Sequence, residues 1–134
     1  MPTKKFHLGD ILSITRDNLV SPRHIGGVYD ILNFMTGDNL HTHQLTRASD
    51  ECKPYLIEQF PQLTGPDMDL AIAELDNEVM SSREKVHMKK FVADWLAKQV
   101  AKYGEMFDVE SIPTKAHEVK DPLMELAEIR EEKA

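Results

Sequence analysis

The chain has 134 residues, 41% of them hydrophobic, and a formal charge of −7, which suits one domain with one core. No apolar run approaches the ~18 residues of a membrane span and the N-terminus lacks a signal-peptide core, so a cytoplasmic protein is expected. The net acidity weighs against indiscriminate attraction to DNA, RNA or anionic lipid, and the single cysteine, Cys52, excludes both an internal disulfide and a cysteine-rich metal site.

In chain order, Phe6 to Thr15 mixes β-branched residues with Gly9-Asp10 and reads as an extended piece followed by a helical turn capped by Asp10. The clearest helix runs from Ser21 to Met35. Ser21 is placed to cap it, Pro22 to occupy its first position and Gly37 to end it, with Ile25, Val28, Tyr29, Leu32 and Met35 as the inward stripe. Gly26 and Gly27 interrupt that helix at roughly 1 kcal/mol each against alanine, which calls for another chain segment packed closely there.

A short helix from Thr42, carrying Leu45 and Ala48 inward, is expected to end before Pro54. Pro54 then opens another that Pro61 stops after Phe60. Thr64 or Gly65 caps a helix begun by Pro66, with Met68, Ile72, Leu75 and Val79 inside and Asp67 and Asp69 favourably placed against its dipole. After a break and fresh cap at Ser81-Ser82, a long helix carries Met88, Val92, Trp95, Leu96, Val100 and Tyr103 inward until Gly104.

Glu105 to Ile112 reads as a strand that can pair with the N-terminal extended segment, and Asp121-Pro122 opens a last helix with Leu123, Leu126 and Ile129 on one face. The expected fold is therefore mainly α (α+β). It has five to six helices, a minor two-stranded β element near residues 5-14 and 105-112, and a C-terminal helix. Residues 1-113 make the domain and 114-134 a polar linker plus that helix.

Charge is segregated along the chain. Between Pro54 and Ser82 there is no lysine or arginine, while Glu58, Asp67, Asp69, Glu74, Asp76 and Glu78 are acidic; Arg83, Lys85, Lys89, Lys90, Lys98 and Lys102 follow. An acidic stretch of this kind is usually a solvated face, here neutralised by the basic helix after it. The sharper reading is a surface that engages a partner's basic groove, with Leu123, Leu126 and Ile129 as a second contact or as a route to self-association.

Other chemistry is poorly supported. His41, His43 and Cys52 supply three metal ligands at most, without a recognised spacing, so polar histidines in a helix-entry loop and a core cysteine are preferred. Asp67-x-Asp69 runs into apolar Leu70 to Ala73 and is no calcium loop. No phosphate-binding loop, nucleophile elbow or zinc-protease motif is present, and no catalytic residue, cofactor or metal is assigned. The alternative is a helix-turn-helix DNA-binding regulator in which His43, Gln44, Thr46 and Arg47 face the duplex, although the six cations of residues 1–60 are offset by seven acids.

The phrase Lys5-Phe6-His7-Leu8-Gly9-Asp10-Ile11-Leu12-Ser13-Ile14-Thr15 resembles a family of small bacteriophage and prophage proteins. The likeness extends through Ser21 to Gly37, and through His43-Gln44-Leu45, Glu51-Cys52-Lys53-Pro54, Pro61-Gln62-Leu63 and Trp95 to Gly104. That family carries no established activity, so no functional residue transfers. What the resemblance implies is context: a non-catalytic accessory protein that occupies a host protein or protein–nucleic-acid complex, including CRISPR-type defence complexes.

Overall fold

The computed structural model describes residues 3–81 and 85–133. In chain order it has strand β1 (Thr3–His7), helices α1 (Leu8–Thr15), α2 (Ile25–Thr36), α3 (Leu45–Gln59), α4 (Pro66–Ser81) and α5 (Lys85–Tyr103), strand β2 (Met106–Glu110) and helix α6 (Pro122–Lys133). Single 3-10 turns lie at Thr42–Gln44, Pro61–Leu63 and Thr114–Ala116. The fold is mainly α, with the expected two-stranded β element and C-terminal helix.

The strands pair antiparallel with Phe6 opposite Phe107 and Lys4 opposite Val109, so Phe6, Phe107 and Val109 share the face turned to the core. Lys5 and Asp108 form an exposed ion pair across the other face. Pairing brings the two ends of the core region together, and the amide of Ile112 donates to the carbonyl of Met35, securing the exit of β2 on α2.

The centre of the molecule is α1, not α2. Every residue of α1 is buried, including Asp10, Ser13 and Thr15. Its polar side chains are buried with the apolar ones: Asp10 and Ser13, one turn apart, face the loop that follows the helix rather than solvent. Its cap is His7, whose Nδ1 accepts from the Gly9 amide at 3.0 Å, rather than Asp10. Asp10 points into the interior instead.

The helix expected from Ser21 begins only at Ile25. His24, at φ 56°, separates a turn at Pro22–His24 from α2, while Gly37, at φ 73°, closes the C-terminal end as expected. Within α2, Val28, Leu32 and Met35 are buried as the stripe requires, but Ile25 is half exposed and Ile31 takes a core place. Tyr29 sits at the margin, its hydroxyl bonded to that of Thr42.

Pro54 does not divide α3 into two helices. The proline and Asp50, whose carbonyl loses its amide partner, both lie on the exposed side, where water can replace the missing bond. Ala48, Cys52 and Leu56, four residues apart on the opposite face, are completely buried and hold the helix straight through. Phe60 ends it before Pro61, as predicted.

Helices α4 and α5 form an antiparallel pair. Met68 and Leu75 are buried at the base of α4, and Trp95 donates its indole N–H to the carbonyl of Ala71 at 2.8 Å. Val79, expected inside, is half exposed near the end of α4. Of the break predicted at Ser81-Ser82, Ser82 lies outside the described residues, as do Arg83 and Glu84. Gly9 lets the loop after α1, and Leu96 of α5, close on α1: a Cβ there would lie 2.7 Å from the Val20 carbonyl oxygen, 2.9 Å from Pro22 and 3.2 Å from Leu96.

Candidate functional site

A buried polar network anchors the 16–24 loop on α1. Ser13 Oγ donates to the Gly9 carbonyl and accepts from the amides of Val20 and Ser21. Ser21 Oγ donates to Asp10 Oδ1 at 2.5 Å, and Arg23 reaches Asp10 Oδ2 at 2.7 Å and Asp30 at 2.9 Å. Its two carboxylate partners, Asp30 first, raise the guanidinium pKa of Arg23. A Cβ on Gly27 would stand 2.1 Å from Ser21 Oγ and 2.3 Å from Asp10 Oδ1. The glycine pair is thereby half explained: Gly27 makes room for a buried acid–hydroxyl pair rather than a helix crossing, and a Cβ on Gly26 would meet nothing within 4 Å.

The acidic residues divide by their intramolecular partners. Asp69 pairs with Arg16 at 2.6 Å, Asp67 with Lys102 at 3.2 Å, Asp76 accepts from Asn18, and Glu78 meets His87 at 2.7 Å. The basic helix thus neutralises part of the stretch. Among the described residues Glu58 and Glu74 have no side-chain ion pair. On α4, Met68, Ile72 and Leu75 face inward, which turns Leu70, Ala73, Glu74, Asn77 and Met80 to the opposite side. Leu70 is 71% exposed and Met80 87%, two large apolar side chains on a helix whose core face is already filled.

An open groove of about 800 Å³ separates the 19–24 loop from α5, with Leu19, Val20, Pro22, Val92, Leu96 and Val100 on its walls. Of the polar residues along it, Ser21 is committed to Asp10 and His7 to the cap of α1, and His24, Lys89 and Glu105 also line it.

The C-terminal segment is not a free linker and helix. Asp121 caps α6 as expected, its Oδ1 accepting from the Leu123 amide at 2.9 Å. The residue that α6 buries, however, is Glu125, with Leu126 and Ile129 half-buried beside it and Leu123 78% exposed. Glu125 receives Arg47 at 2.6 Å, and Gln44 donates to both Glu125 and the Lys120 carbonyl. His43 bonds the Pro122 carbonyl at 2.7 Å. Three of the four side chains considered for DNA reading are therefore spent on holding residues 118–125, leaving Thr46 exposed.

The residue that the sequence did not single out is His117. Its imidazole is buried, with Nδ1 2.5 Å from Glu51 Oε1 and Nε2 2.9 Å from Asp38 Oδ2. Those partners lie 66 and 79 residues away, and nothing near His117 in sequence announces them. Cys52 is buried, and burial, with a smaller contribution from the Glu51 charge, pushes its thiol up to about 12. Among the described residues no three His, Cys, Asp or Glu side chains converge as a metal site, and no helix is long and apolar enough to cross a membrane.

A family model described as a domain of unknown function (DUF7736) matches residues 6–65. The matched stretch holds α1, α2 and α3, under half of the chain, and stops before α4, so the similarity concerns the core around α1 and not the exposed face of α4. No curated protein and no solved structure matches the chain.

Proposed function

We propose that this chain is a non-catalytic interaction protein that occupies a host protein or protein–nucleic-acid complex through the outer face of α4. The observation that carries this reading is the exposure of Leu70 and Met80 on a helix already packed on its inner side, with Glu74 between them and Asp69 alongside. Leu70, Ala73, Asn77 and Met80 follow the i, i+3, i+7, i+10 spacing by which a helix lays anchors into a groove, and the acids favour a groove with a basic rim. The sequence resemblance to phage and prophage accessory proteins makes a nucleic-acid-handling complex, including a defence complex, the target class we favour.

The structure changes how this is tested. Reversing Asp67, Asp69 or Asp76 would also break bonds to Lys102, Arg16 or Asn18, so loss of capture would be ambiguous. Leu70→Asp with Glu74→Lys and Met80→Asp alters the outer face alone. A tagged full chain carrying these changes is expected to keep its helical circular dichroism and lose the proteins that the wild type captures from a bacterial extract. Unchanged capture by the folded variant would overturn the assignment.

A further inference from the structure

Residues 114–133 are joined to the rest of the molecule in an unusual way. Among described residues of this segment the buried side chains are His117 and Glu125, both ionisable; Val119, Leu123 and Met124 point to solvent, and Ala116, Pro122, Leu126 and Ile129 give partial apolar cover. Its anchors are polar throughout. Glu51 of α3 meets His117 with one carboxylate oxygen, and with the other receives Arg47 at 3.0 Å and the Glu118 amide at 3.1 Å. Arg47 in turn spans Glu51, the Glu118 carbonyl and Glu125. Asp38, from the connection before α3, closes the far side of the His117 ring.

We propose that residues 114–133 form a strap that this charged clasp seats on α3, and that the strap opens and closes with pH while the core around α1 stays folded. A segment whose buried groups are charged gains little from the hydrophobic effect and depends on the protonation of its anchors. Opening would bare Gln44, which is 1% exposed when covered, together with Arg47 and Glu51. The surface that changes is the polar entry turn of α3, separate from the outer face of α4.

The direction of the response follows from the anchors. Burial disfavours a charged His117, but its hydrogen bonds to Asp38 and Glu51, and their charges, outweigh that and raise its pKa above the ordinary 6.5. Its contribution to the closed state is complete below that ordinary value and is lost as pH rises through the raised one. Hydrogen bonding, from His117 to Asp38 and from Arg47 to Glu125, lowers both carboxyls against the opposing effect of burial. Their contribution is complete above the ordinary carboxylate range, about 4, and is lost as pH falls through the lowered values. Of the other titratable groups at the strap, Lys120 pairs with Glu118 and Glu128 on the strap itself, and His43, at the entry of α3, bonds the Pro122 carbonyl. The strap is therefore held best at about pH 5 to 6.5 and loosens above it.

Hydrogen exchange of the full chain, read by mass spectrometry and corrected for intrinsic rates, tests this at pH 6.0 and 8.5. Peptides from residues 114–133 should lose protection at least threefold at pH 8.5, with α1 unchanged. His117→Gln should abolish that difference, and Glu51→Gln should reduce protection at pH 6.0. Equal protection of the wild-type strap at both values, a pH response that survives His117→Gln, or loosening of α1 in parallel would each overturn the proposal. Should His117→Gln fail to fold, the His117 ring titration followed by NMR in the wild type decides: its midpoint must lie above 6.5 and coincide with strap opening, and a lower or separate midpoint refutes the device.

Discussion

Gly27→Ala should be among the most damaging single-methyl additions in this protein. Alanine normally gains up to about 1 kcal/mol over glycine in a helix. Here the new Cβ would fall 2.1 Å from Ser21 Oγ and 2.3 Å from Asp10 Oδ1, inside the contact distance of both atoms. Either the hydroxyl and carboxylate part or α2 moves away from α1. Overpacking costs about 1–3 kcal/mol, and weakening a buried hydrogen bond to a charged group costs a further ~1.5–3 kcal/mol. Net of a helix gain of up to about 1 kcal/mol, a loss of about 1.5–5 kcal/mol is expected, or roughly 5–18 °C in Tm for a domain of this size. Gly26→Ala is the internal control: its Cβ meets nothing, so the substitution should be neutral or stabilise by up to about 1 kcal/mol. Urea melts of the two variants beside the wild type give the comparison. A Gly27→Ala protein as stable as the wild type, or equal losses in both variants, would refute the packing argument.

Trp95→Phe removes the indole donor to the Ala71 carbonyl and part of the contact between α4 and α5, and should lower stability by about 2 kcal/mol in urea. An unchanged urea midpoint would show that the bond does not join the pair. Cys52, with its thiol pushed up to about 12 and its side chain buried, should resist a thiol-specific disulfide reagent at pH 8 in the native chain. It should react at least a thousandfold faster in denaturing urea, where a thiol titrates near 8.5. Rapid native labelling would place Cys52 outside the core.

The starts of α4 and α6 and the end of α5 were readable because Pro66, Asp121-Pro122 and Gly104 act through neighbouring backbone, and β2 through local alternation. What escaped was decided at a distance. On α1 the polar Asp10 and Ser13 share a face that would ordinarily meet solvent, and its burial under the 16–24 loop is decided by Val20 and Ser21, seven or more residues away. Ser21-Pro22 has the chemistry of a helix start, yet Ser21 is drawn to Asp10, eleven residues earlier, and the helix waits until Ile25. Pro54 breaks helices in general, but its exposed position and the buried Cys52 and Leu56 opposite it reverse that outcome. On α6 Leu123, Leu126 and Ile129 read as one face left for a partner, whereas only Leu123 is open and Leu126 and Ile129 lie half-buried beside the Arg47–Glu125 pair, which no local pattern announces. The acidic stretch was legible as charge, and the pairing of Asp67 with Lys102 in the basic helix follows the sequence-level reading. Which acids remain uncommitted, and the exposed Leu70 and Met80 among them, needed the fold.

The outer face of α4 is the contact surface on which the proposed function depends. Its most direct test is the affinity for a protein first captured by the wild-type chain and then purified. The Leu70→Asp, Glu74→Lys, Met80→Asp variant is compared with Leu123→Asp on α6, and both are checked for native Tm. A fall of at least tenfold in affinity, about 1.4 kcal/mol, for the α4 variant with less than a twofold change for Leu123→Asp is the predicted result. Full affinity in the folded α4 variant, or a loss confined to Leu123→Asp, would contradict it.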